Sequence, residues 1–309
     1  MEQTNWNKGN RENGIICLSN AKEAYHNNDH QSAMECVEDA ISYFIGDNSS
    51  LCDLSQCYYI KAHLLRHIYD SKSESKYFYG KSIKTHILGS KQNDYKNHKF
   101  YKYVSVNMDN LVSILNRLRL IHPSAFNDPM DCPIAINSNN GIPDIDLFNG
   151  LRVGCFGVVD DIVSNSDRKY YLDASKWSYY GNFHKGICIE YDFSTLDLNE
   201  ECVLMGKIKY EKQYNPTKGI VGSGLLTKSK DYEIENEWRI IWYDESLSTN
   251  EPMFIDIHPA IITNIYIGYK CSDEIQEQIL QFRRDKPHIG VYKVQSSKDN
   301  FYQLETLKL

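Results

Sequence analysis

A short segment late in the chain, Tyr232–Trp242, carries three glutamates at alternate positions, followed by an arginine. If the segment is extended, its side chains alternate between two faces, and Glu233, Glu235, Glu237 and Arg239 then share one face. Aligned carboxylates repel one another unless water, a cation or a substrate compensates their charge. The pattern therefore indicates either a solvated strand edge, partly neutralised by the arginine, or a carboxylate site that stabilises a developing positive charge.

A lysine between two aromatic residues, in Tyr101-Lys102-Tyr103, forms a second candidate group. Aromatic residues at alternate positions of a strand are typical of a packed core face, and Lys102 is then expected on the opposite face. An ammonium group can pair with a phosphate, and aromatic rings can stack on a nucleobase or on nicotinamide. The sequence leaves both core packing and ligand stacking open for the two tyrosines.

Further candidates stand in turns or on a short helix. Asn127 and Asp128 precede a proline, which predicts a turn that is either structural or presents a site residue. Trp177 and Tyr180 are spaced for one helical face, which favours packing over a ligand clamp. His184 precedes a predicted strand, where a loop histidine is either solvated or placed beside a site.

The composition of the 309 residues is that of an ordinary globular protein, with 41% hydrophobic and 24% charged residues. The net charge of −7 argues against nucleic-acid binding driven by overall charge and leaves room only for a local basic groove. The nine cysteines form no C-x-x-C pair, so neither a zinc knuckle nor a redox motif is indicated. His63 and His67 are four residues apart but lack a third ligand, so no metal site is expected. Scattered cysteines indicate a reducing compartment.

The hydropathy of the chain predicts a protein that does not enter a membrane. No stretch approaches the ~20 apolar residues that span a bilayer. Residues 1–13 are polar and lack the apolar core of a signal peptide. We therefore expect a cytoplasmic protein in which residues 1–13 form a disordered tail.

Residues 14–95 are predicted to form a helical domain, because they contain no proline and their apolar residues recur at three- and four-residue spacing. Asp29 suits the N-cap of the second helix. The turn and helix from Asn28 to Ala40 resemble one unit of a tetratricopeptide repeat, an architecture that binds a peptide or protein partner. A second unit fits more loosely, because its spacing is longer. The alternative is a helical cap packed on the second half.

Residues 100–309 are predicted to form a second domain, because short alternating strands are separated there by Gly, Asn, Asp and Pro. The predicted strands are Phe100–Val106, Val153–Val159, Gly186–Asp192, Val203–Tyr210, Trp238–Tyr243, Ile262–Tyr269 and Gly290–Gln295, and the predicted helices are Met108–Arg119 and Ser272–Phe282. The predicted fold class is α+β, with an N-terminal helical, tetratricopeptide-like domain before a mixed, mainly antiparallel β domain with flanking helices.

The second domain carries a series of motifs in a specific order. These are Tyr101-Lys102-Tyr103, Asn110-Leu111, Pro123 to Cys132, Cys155-Phe156, Trp177 to Tyr191, Lys207 to Tyr210, Thr227-Lys228-Ser229 and Glu235-x-Glu237-Trp238-Arg239. In this combination residues 100–309 closely resemble the bacterial domain-of-unknown-function 2971 family. Lys176 and Tyr179 depart from it, standing where that family often has an apolar residue and a histidine. The resemblance implies no established reaction.

A looser resemblance is to the ADP-ribosyltransferase superfamily, especially its nucleic-acid-modifying toxin branch, through the aromatic–polar–aromatic strand, the helix after it and the late Glu-x-Glu. It implies NAD as substrate, with Glu237 or Glu235 as the catalytic carboxylate that stabilises an oxocarbenium-like transition state. Lys102 stands where that superfamily has His or Arg. The cofactor-binding residues expected on this basis are Tyr101, Lys102, Tyr103, Asn127, Asp128, Trp177, Tyr180, His184 and Arg239.

Three functions compete. The first is an NAD-consuming ADP-ribosyltransferase-like effector in bacterial defence or a toxin-like role, with a protein or peptide partner on its helical domain and a nucleic-acid or protein acceptor. The second is a non-enzymatic module that binds protein or nucleic acid. The third, nucleic-acid hydrolysis at a metal held by Asp128, Glu190 and Glu235, is weakest because their spacing matches no motif. The first function predicts one concave pocket lined by Lys102, both catalytic glutamates and the loop 177–185.

Overall fold

The computed structural model describes residues 2–91, 94–128, 131–132, 149–159, 169–196, 203–213, 220–247, 249–300 and 303–309. Within these residues, helices precede a mixed, mainly antiparallel sheet with flanking helices, so the predicted α+β fold class is confirmed. None of the helices described combines the length and the apolar character that a membrane crossing requires.

Helices fill the N-terminal part of the described chain. They are α1 Glu2–His26, α2 His30–Phe44, α3 Leu51–His67 and α4 Lys72–Gly89. Helix α1 packs on α2, and α3 packs on α4. As predicted, Asp29 caps α2, because its carboxylate accepts a hydrogen bond from the backbone N–H of Ser32 at 3.2 Å. The inward face of α2 carries Ala33, Val37, Ala40 and Phe44, all fully buried.

Helix α1 begins at Glu2, so the prediction of a disordered tail is wrong for residues 2–13. Polar composition does not prevent a helix from extending, because each further residue adds a backbone hydrogen bond to a helix that tertiary packing already holds. That packing is tight at Gly14, where an added Cβ would lie 2.6 Å from Cε1 of Phe44. The contact between α1 and α2 thus supports the N-terminal extension.

Short strands and three more helices follow in the described residues. The strands are β1 Lys99–Val104, β2 Arg117–Leu120, β3 Leu151–Val158, β4 Ile187–Asp192, β5 Val203–Lys207, β6 Lys209–Glu211, β7 Thr227–Ser229, β8 Glu237–Tyr243, β9 Met253–Asp256, β10 Ile262–Ile267, β11 Gly290–Ser296 and β12 Leu304–Lys308. The helices are α5 Leu111–Asn116, α6 Ala174–Tyr179 and α7 Asp273–Arg284. The main sheet has the order β12-β11-β10-β4-β1-β3-β8-β5, in which only β10 and β11 run parallel.

The predicted helix Met108–Arg119 is shorter than expected and is followed directly by strand β2. Arg117 has extended backbone angles, and β2 pairs with β9. The four residues of β2 alternate arginine and leucine, so their apolar period is two, as a strand requires. Leu118 and Leu120 are therefore buried, while Arg117 and Arg119 are exposed.

The two central strands β1 and β3 separate soon after they meet. Their ladder joins only Phe100 to Val158 and Tyr101 to Gly157, whereas β1 pairs with β4 along its whole length. Farther along β3, Ile121 takes the place of β1 by exchanging two backbone hydrogen bonds with Val153, at 2.8 and 2.9 Å. The sheet is therefore split between β1 and β3.

The helical part and the sheet share one hydrophobic cluster, which joins Phe44 and Ile83 to Leu204 and Ile241. The packing is closest at Gly80 of α4, where an added Cβ would lie 2.7 Å from the hydroxyl of Tyr243. This shared core agrees with the alternative interpretation of residues 14–95 as a helical cap packed on the second half.

We expect the two parts to unfold together, because they share a core. Gly80→Val forces a methyl group against the Tyr243 hydroxyl and is expected to lower the free energy of unfolding by about 1–3 kcal/mol. Far-UV circular dichroism reports mainly the helices, and fluorescence reports mainly the tryptophans of the sheet part. Both signals should shift together in urea.

The control is Gly9→Val, because nothing lies within 4 Å of an added Cβ at Gly9. Separate transitions for the two signals would contradict the shared core and indicate two independent domains.

Candidate functional site

A large cleft opens where β1 and β3 diverge. Its volume is about 1010 Å³, at the upper end of the range for small-molecule sites. Its walls include most of the residues predicted to act there: Tyr101, Lys102, Tyr103, Asn127, Asp128, Tyr180, Glu235 and Glu237. The fold thus gathers residues that are far apart in the sequence, and the expected concave pocket is present.

The glutamate segment is extended only from Glu237 onward, so the condition under which all three glutamates share one face is not met. A 3-10 turn covers Lys230–Glu235, Asn236 has a left-handed backbone with φ of 45°, and β8 begins at Glu237. Asparagine tolerates this conformation, and the Asn236 side-chain amide donates to a backbone carbonyl of β3 at 2.8 Å. Glu233 consequently lies exposed outside the cleft lining, whereas Glu235 and Glu237 both face the cleft.

Lys228 lies at the centre of a carboxylate cluster. Its Nζ is 2.6 Å from Oε2 of Glu235, 3.3 Å from Oδ1 of Asp131 and 3.5 Å from Oε2 of Glu237. Burial alone lowers the pKa of Lys228, but these carboxylates raise it above its ordinary value. The amine of Lys228 therefore stays protonated, and its positive charge lies between the three acidic side chains.

Arg239 is the second cation of the cluster, and it is completely buried. Its Nε lies 2.6 Å from Oε1 of Glu237, and its Nη2 lies 2.7 Å from Oδ1 of Asp131. Its guanidinium also packs over the ring of Phe126, 5.2 Å from the ring centroid. Arg239 supports the carboxylates from behind and has no surface in the cleft, which corrects the expectation that it contacts a cofactor.

The carboxylate of Glu237 is ionised and immobile. Burial by itself raises the pKa of Glu237, but the guanidinium of Arg239 and then the ammonium of Lys228 lower it to about 2. The backbone N–H of Glu237 donates to the hydroxyl of Tyr210 at 2.9 Å, which fixes the start of β8. A fixed, charged carboxylate at the wall of a cleft is suited to stabilising positive charge as it develops.

Glu235 is the more accessible of the two, with 14% of its side chain exposed against 8% for Glu237. Its Oε1 accepts a hydrogen bond from the hydroxyl of Tyr180 at 2.6 Å. Lys176, four residues before Tyr180, donates from Nζ to the carbonyl of Ile234 at 3.4 Å. Lys176 on α6 and Tyr180 directly after it thus hold the turn that carries Glu235.

Positive charge lies elsewhere in the cleft, at Lys102 and Arg119. Lys102 stands where β1 leaves β3, and its Nζ donates to the carbonyl of Cys155 at 3.1 Å, 4.8 Å from the centroid of the Phe156 ring. Burial, together with the nearby charge of Arg119, lowers the pKa of Lys102. Arg119 itself is exposed on β2. An anion between the two would relieve the repulsion of neighbouring cations.

Tyr101 and Tyr103 pack as the core interpretation predicts and also reach the cleft. The ring of Tyr101 stacks on that of Tyr170 with centroids 5.4 Å apart, and the ring of Tyr103 meets that of Trp177 edge-on at 4.9 Å. Aromatic pairs at these distances are favourable beyond their buried area. The tyrosines therefore form a rigid inner wall.

Trp177 and His184, both predicted to bind a cofactor, lie outside the lining of the cleft. Trp177 is fully buried, and its Nε1 donates to the carbonyl of Tyr171 at 2.8 Å, so the packing interpretation of this helical face holds for it. His184 stacks on Trp177 with centroids 6.1 Å apart, and burial, followed by the charge of Lys270, lowers its pKa.

The turn at Asn127 and Asp128 presents both side chains to the cleft. Asp128 accepts a hydrogen bond from the hydroxyl of Tyr232 at 2.8 Å, which joins this turn to the 3-10 turn before β8. Asn127 is exposed at the same place. The two residues thus serve as a site loop as well as a turn.

Sequence reasoning gave no role to three residues that shape the site: Asp131, Lys228 and Arg119. Asp131 and Lys228 stand within quoted motifs, but nothing in their spacing shows that the fold brings them to Glu237. The exposed position of Arg119 could have been predicted, because the alternation of arginine and leucine over β2 places Arg119 on the face opposite the buried leucines.

The metal-dependent alternative receives no support from the placement of its residues. Glu190 accepts hydrogen bonds from Thr263, Asn264 and Tyr266 at 2.6 to 2.9 Å, in a separate buried network. Among the described residues, no group of three or more His, Cys, Asp or Glu side chains is arranged to hold a metal ion.

Comparison of the chain with protein-family models, with curated proteins and with solved structures found no match. The function is therefore inferred from the geometry of the cleft.

Glu237→Gln is expected to lower the free energy of unfolding at pH 7 by about 3 kcal/mol, because it leaves Arg239 buried with one carboxylate partner fewer. The folded pKa of about 2 lies below the ordinary value of 4.5. The stabilisation is therefore complete above about pH 4.5 and is lost as pH falls towards 2. The difference between wild type and variant, measured by urea unfolding, should shrink between pH 7 and pH 3.

Glu233→Gln is the matched control, because Glu233 is exposed and outside the cleft lining. A difference between wild type and Glu237→Gln that stays constant from pH 7 to pH 3 would contradict the assigned pairing.

Proposed function

We propose that the protein is an NAD-consuming ADP-ribosyltransferase-like enzyme, in keeping with its sequence resemblance. The observation that carries the proposal is the pair Glu235 and Glu237, held by hydrogen bonds and ion pairs at the wall of a split-sheet cleft. Such fixed charge is what a reaction with a cationic transition state requires, because the groups need not reorganise as the charge develops.

The proposed reaction breaks the bond between ribose C1′ and the nicotinamide nitrogen. The bonding electron pair leaves with nicotinamide, which becomes neutral, and positive charge develops on the ribose. A lone pair of the acceptor forms the new bond to C1′, and the acceptor releases a proton. Glu237 stabilises the ribose charge from its fixed position, and Glu235, the more accessible carboxylate, contacts the ribose hydroxyls or the acceptor.

The proposed pyrophosphate contacts are Lys102 and Arg119. Both line the cleft, and the described residues show no carboxylate bonded to either side chain. Arg119 replaces Arg239 in this role, because Arg239 is buried behind Glu237. Tyr180, 42% exposed beside Glu235, is the proposed stacking group for nicotinamide.

We further propose a cytoplasmic effector of the domain-of-unknown-function 2971 type, active in bacterial defence or in a toxin-like role. The helical part contributes a surface for a protein or peptide. Ile16 on α1 and Tyr77 on α4 are exposed apolar residues that support such a contact.

Purified protein incubated with NAD is expected to release nicotinamide, which chromatography quantifies. Glu235→Gln should lower kcat by about 100-fold, the effect of losing one preorganised electrostatic group. Glu237→Gln should have an equal or larger effect, after circular dichroism has verified its folding. Arg119→Gln should raise KM with kcat largely kept, because a pyrophosphate contact is made equally in the ground and transition states.

Two exposed residues provide controls: Glu233→Gln for the carboxylates and Arg284→Gln on α7 for the arginine. Their rates should match wild type. Calorimetry that detects no NAD binding, with no nicotinamide release when DNA, RNA and cell lysate are supplied, would refute the enzyme and favour the non-enzymatic interaction module.

A further inference from the structure

The turn after α6 holds an unusual run of three left-handed residues, none of them glycine. Asn182, Phe183 and His184 have φ values of 50°, 54° and 67°. Each such residue costs roughly 1–2 kcal/mol, and only asparagine adopts the conformation readily. The turn is held by the neighbouring loop, since the N–H of Lys270 donates to the carbonyl of His184 at 2.9 Å. Strain that the surroundings maintain is a feature of functional surfaces.

The strained turn presents an aromatic ring to solvent instead of burying it. Phe183 is 70% exposed, Tyr179 at the end of α6 is 82% exposed, and Tyr269 on the adjoining loop is 53% exposed. We name these three residues the aromatic ledge. The ledge is continuous with the cleft, because Tyr179 lines the cleft and its neighbour Tyr180 bonds Glu235.

The ledge has basic neighbours although the whole chain is acidic. Lys185 and Lys270 are exposed beside it, and the segments 179–186 and 268–271 contain no aspartate or glutamate. Asn182, also exposed, adds a side-chain amide. A local basic surface of this kind attracts phosphate groups where overall charge does not.

We propose that the aromatic ledge binds an unpaired stretch of nucleic acid, its rings stacking on bases while Lys185 and Lys270 contact phosphates. Flat exposed rings beside cations are the recurring means of holding single strands, because every base offers a π-face. The strand would be the acceptor of the transferred ADP-ribose, a role that rests on the proposed function.

The composition of the ledge favours a nucleic acid over a protein partner. A protein-docking patch is typically a continuous apolar surface, whereas the neighbours of these rings in the chain include the exposed polar and cationic residues Asn182, Lys185 and Lys270. Duplexes are disfavoured as ligands, because their bases are stacked inside and offer no free face to an aromatic ring.

The test measures fluorescence anisotropy of labelled RNA and DNA strands of about 12 nucleotides, with the matching duplex for comparison. The variants are Phe183→Asn, which removes the ring while suiting the left-handed backbone, and Tyr269→Ala. The control is Tyr69→Ala, in the turn after α3, whose ring is 50% exposed far from the ledge in sequence. Each ledge variant should weaken strand binding at least about fivefold, the effect of one lost stack, and the control should not.

Nicotinamide release without an acceptor is measured in parallel and separates the two proposals. If strand binding depends on the rings but no nicotinamide is released, the proposed binding role of the ledge is supported and the proposed NAD reaction is refuted. If nicotinamide is released but no strand binds, the proposed binding role of the ledge is refuted and the proposed reaction is supported. The same conclusion follows if nicotinamide is released and all three variants bind the strand equally. Loss of labelling of lysate proteins, but not of RNA or DNA, in Phe183→Asn would identify a protein acceptor and also overturn the ledge.

Discussion

The pairing of Lys228 and Arg239 with three carboxylates is the interaction on which the cleft depends. The side chains of the cluster are at most 14% exposed, so loss of one partner leaves a buried charge uncompensated. Arg239 is placed by β8, which lies between β3 and β5, and Asp131 is drawn to it from a distant loop. The contacts that hold Glu237 in place therefore also join Asp131 and β8 into one wall of the cleft.

The wall of the cleft near Lys102 depends on how backbone hydrogen bonds are replaced where β1 and β3 separate. Where β1 leaves β3, backbone groups lose their ladder partners, and buried polar groups without partners are costly. The Lys102 ammonium bonds the Cys155 carbonyl, and Ile121 exchanges hydrogen bonds with Val153. The compensation places a cation inside the opening, so the chemistry of the cleft follows in part from the need to satisfy its backbone.

The sequence predicts the elements of this fold better than their junctions. Periodicity locates the first helices and most sheet strands, because burial on one face sets the period of apolar residues. It does not reveal the bend before Glu237, where a left-handed Asn236 divides the glutamate segment. It also gives Arg239 the wrong environment, because alternation assigns a face without showing what covers that face. The neighbours of Lys228 come from contacts that are distant in sequence, which periodicity does not encode.

The distribution of charge in the cleft favours a ligand that carries a cationic group at one end and an anionic group at the other. The carboxylate cluster sets three acidic side chains against two cations, which leaves the cluster with one net negative charge. Lys102 and Arg119 supply positive charge in the same cleft. NAD, the proposed substrate, has a cationic nicotinamide and an anionic pyrophosphate, which match this polarity in one orientation. In the proposed reaction that orientation brings the bond to nicotinamide towards the carboxylates, and a purely anionic nucleotide would gain nothing from them.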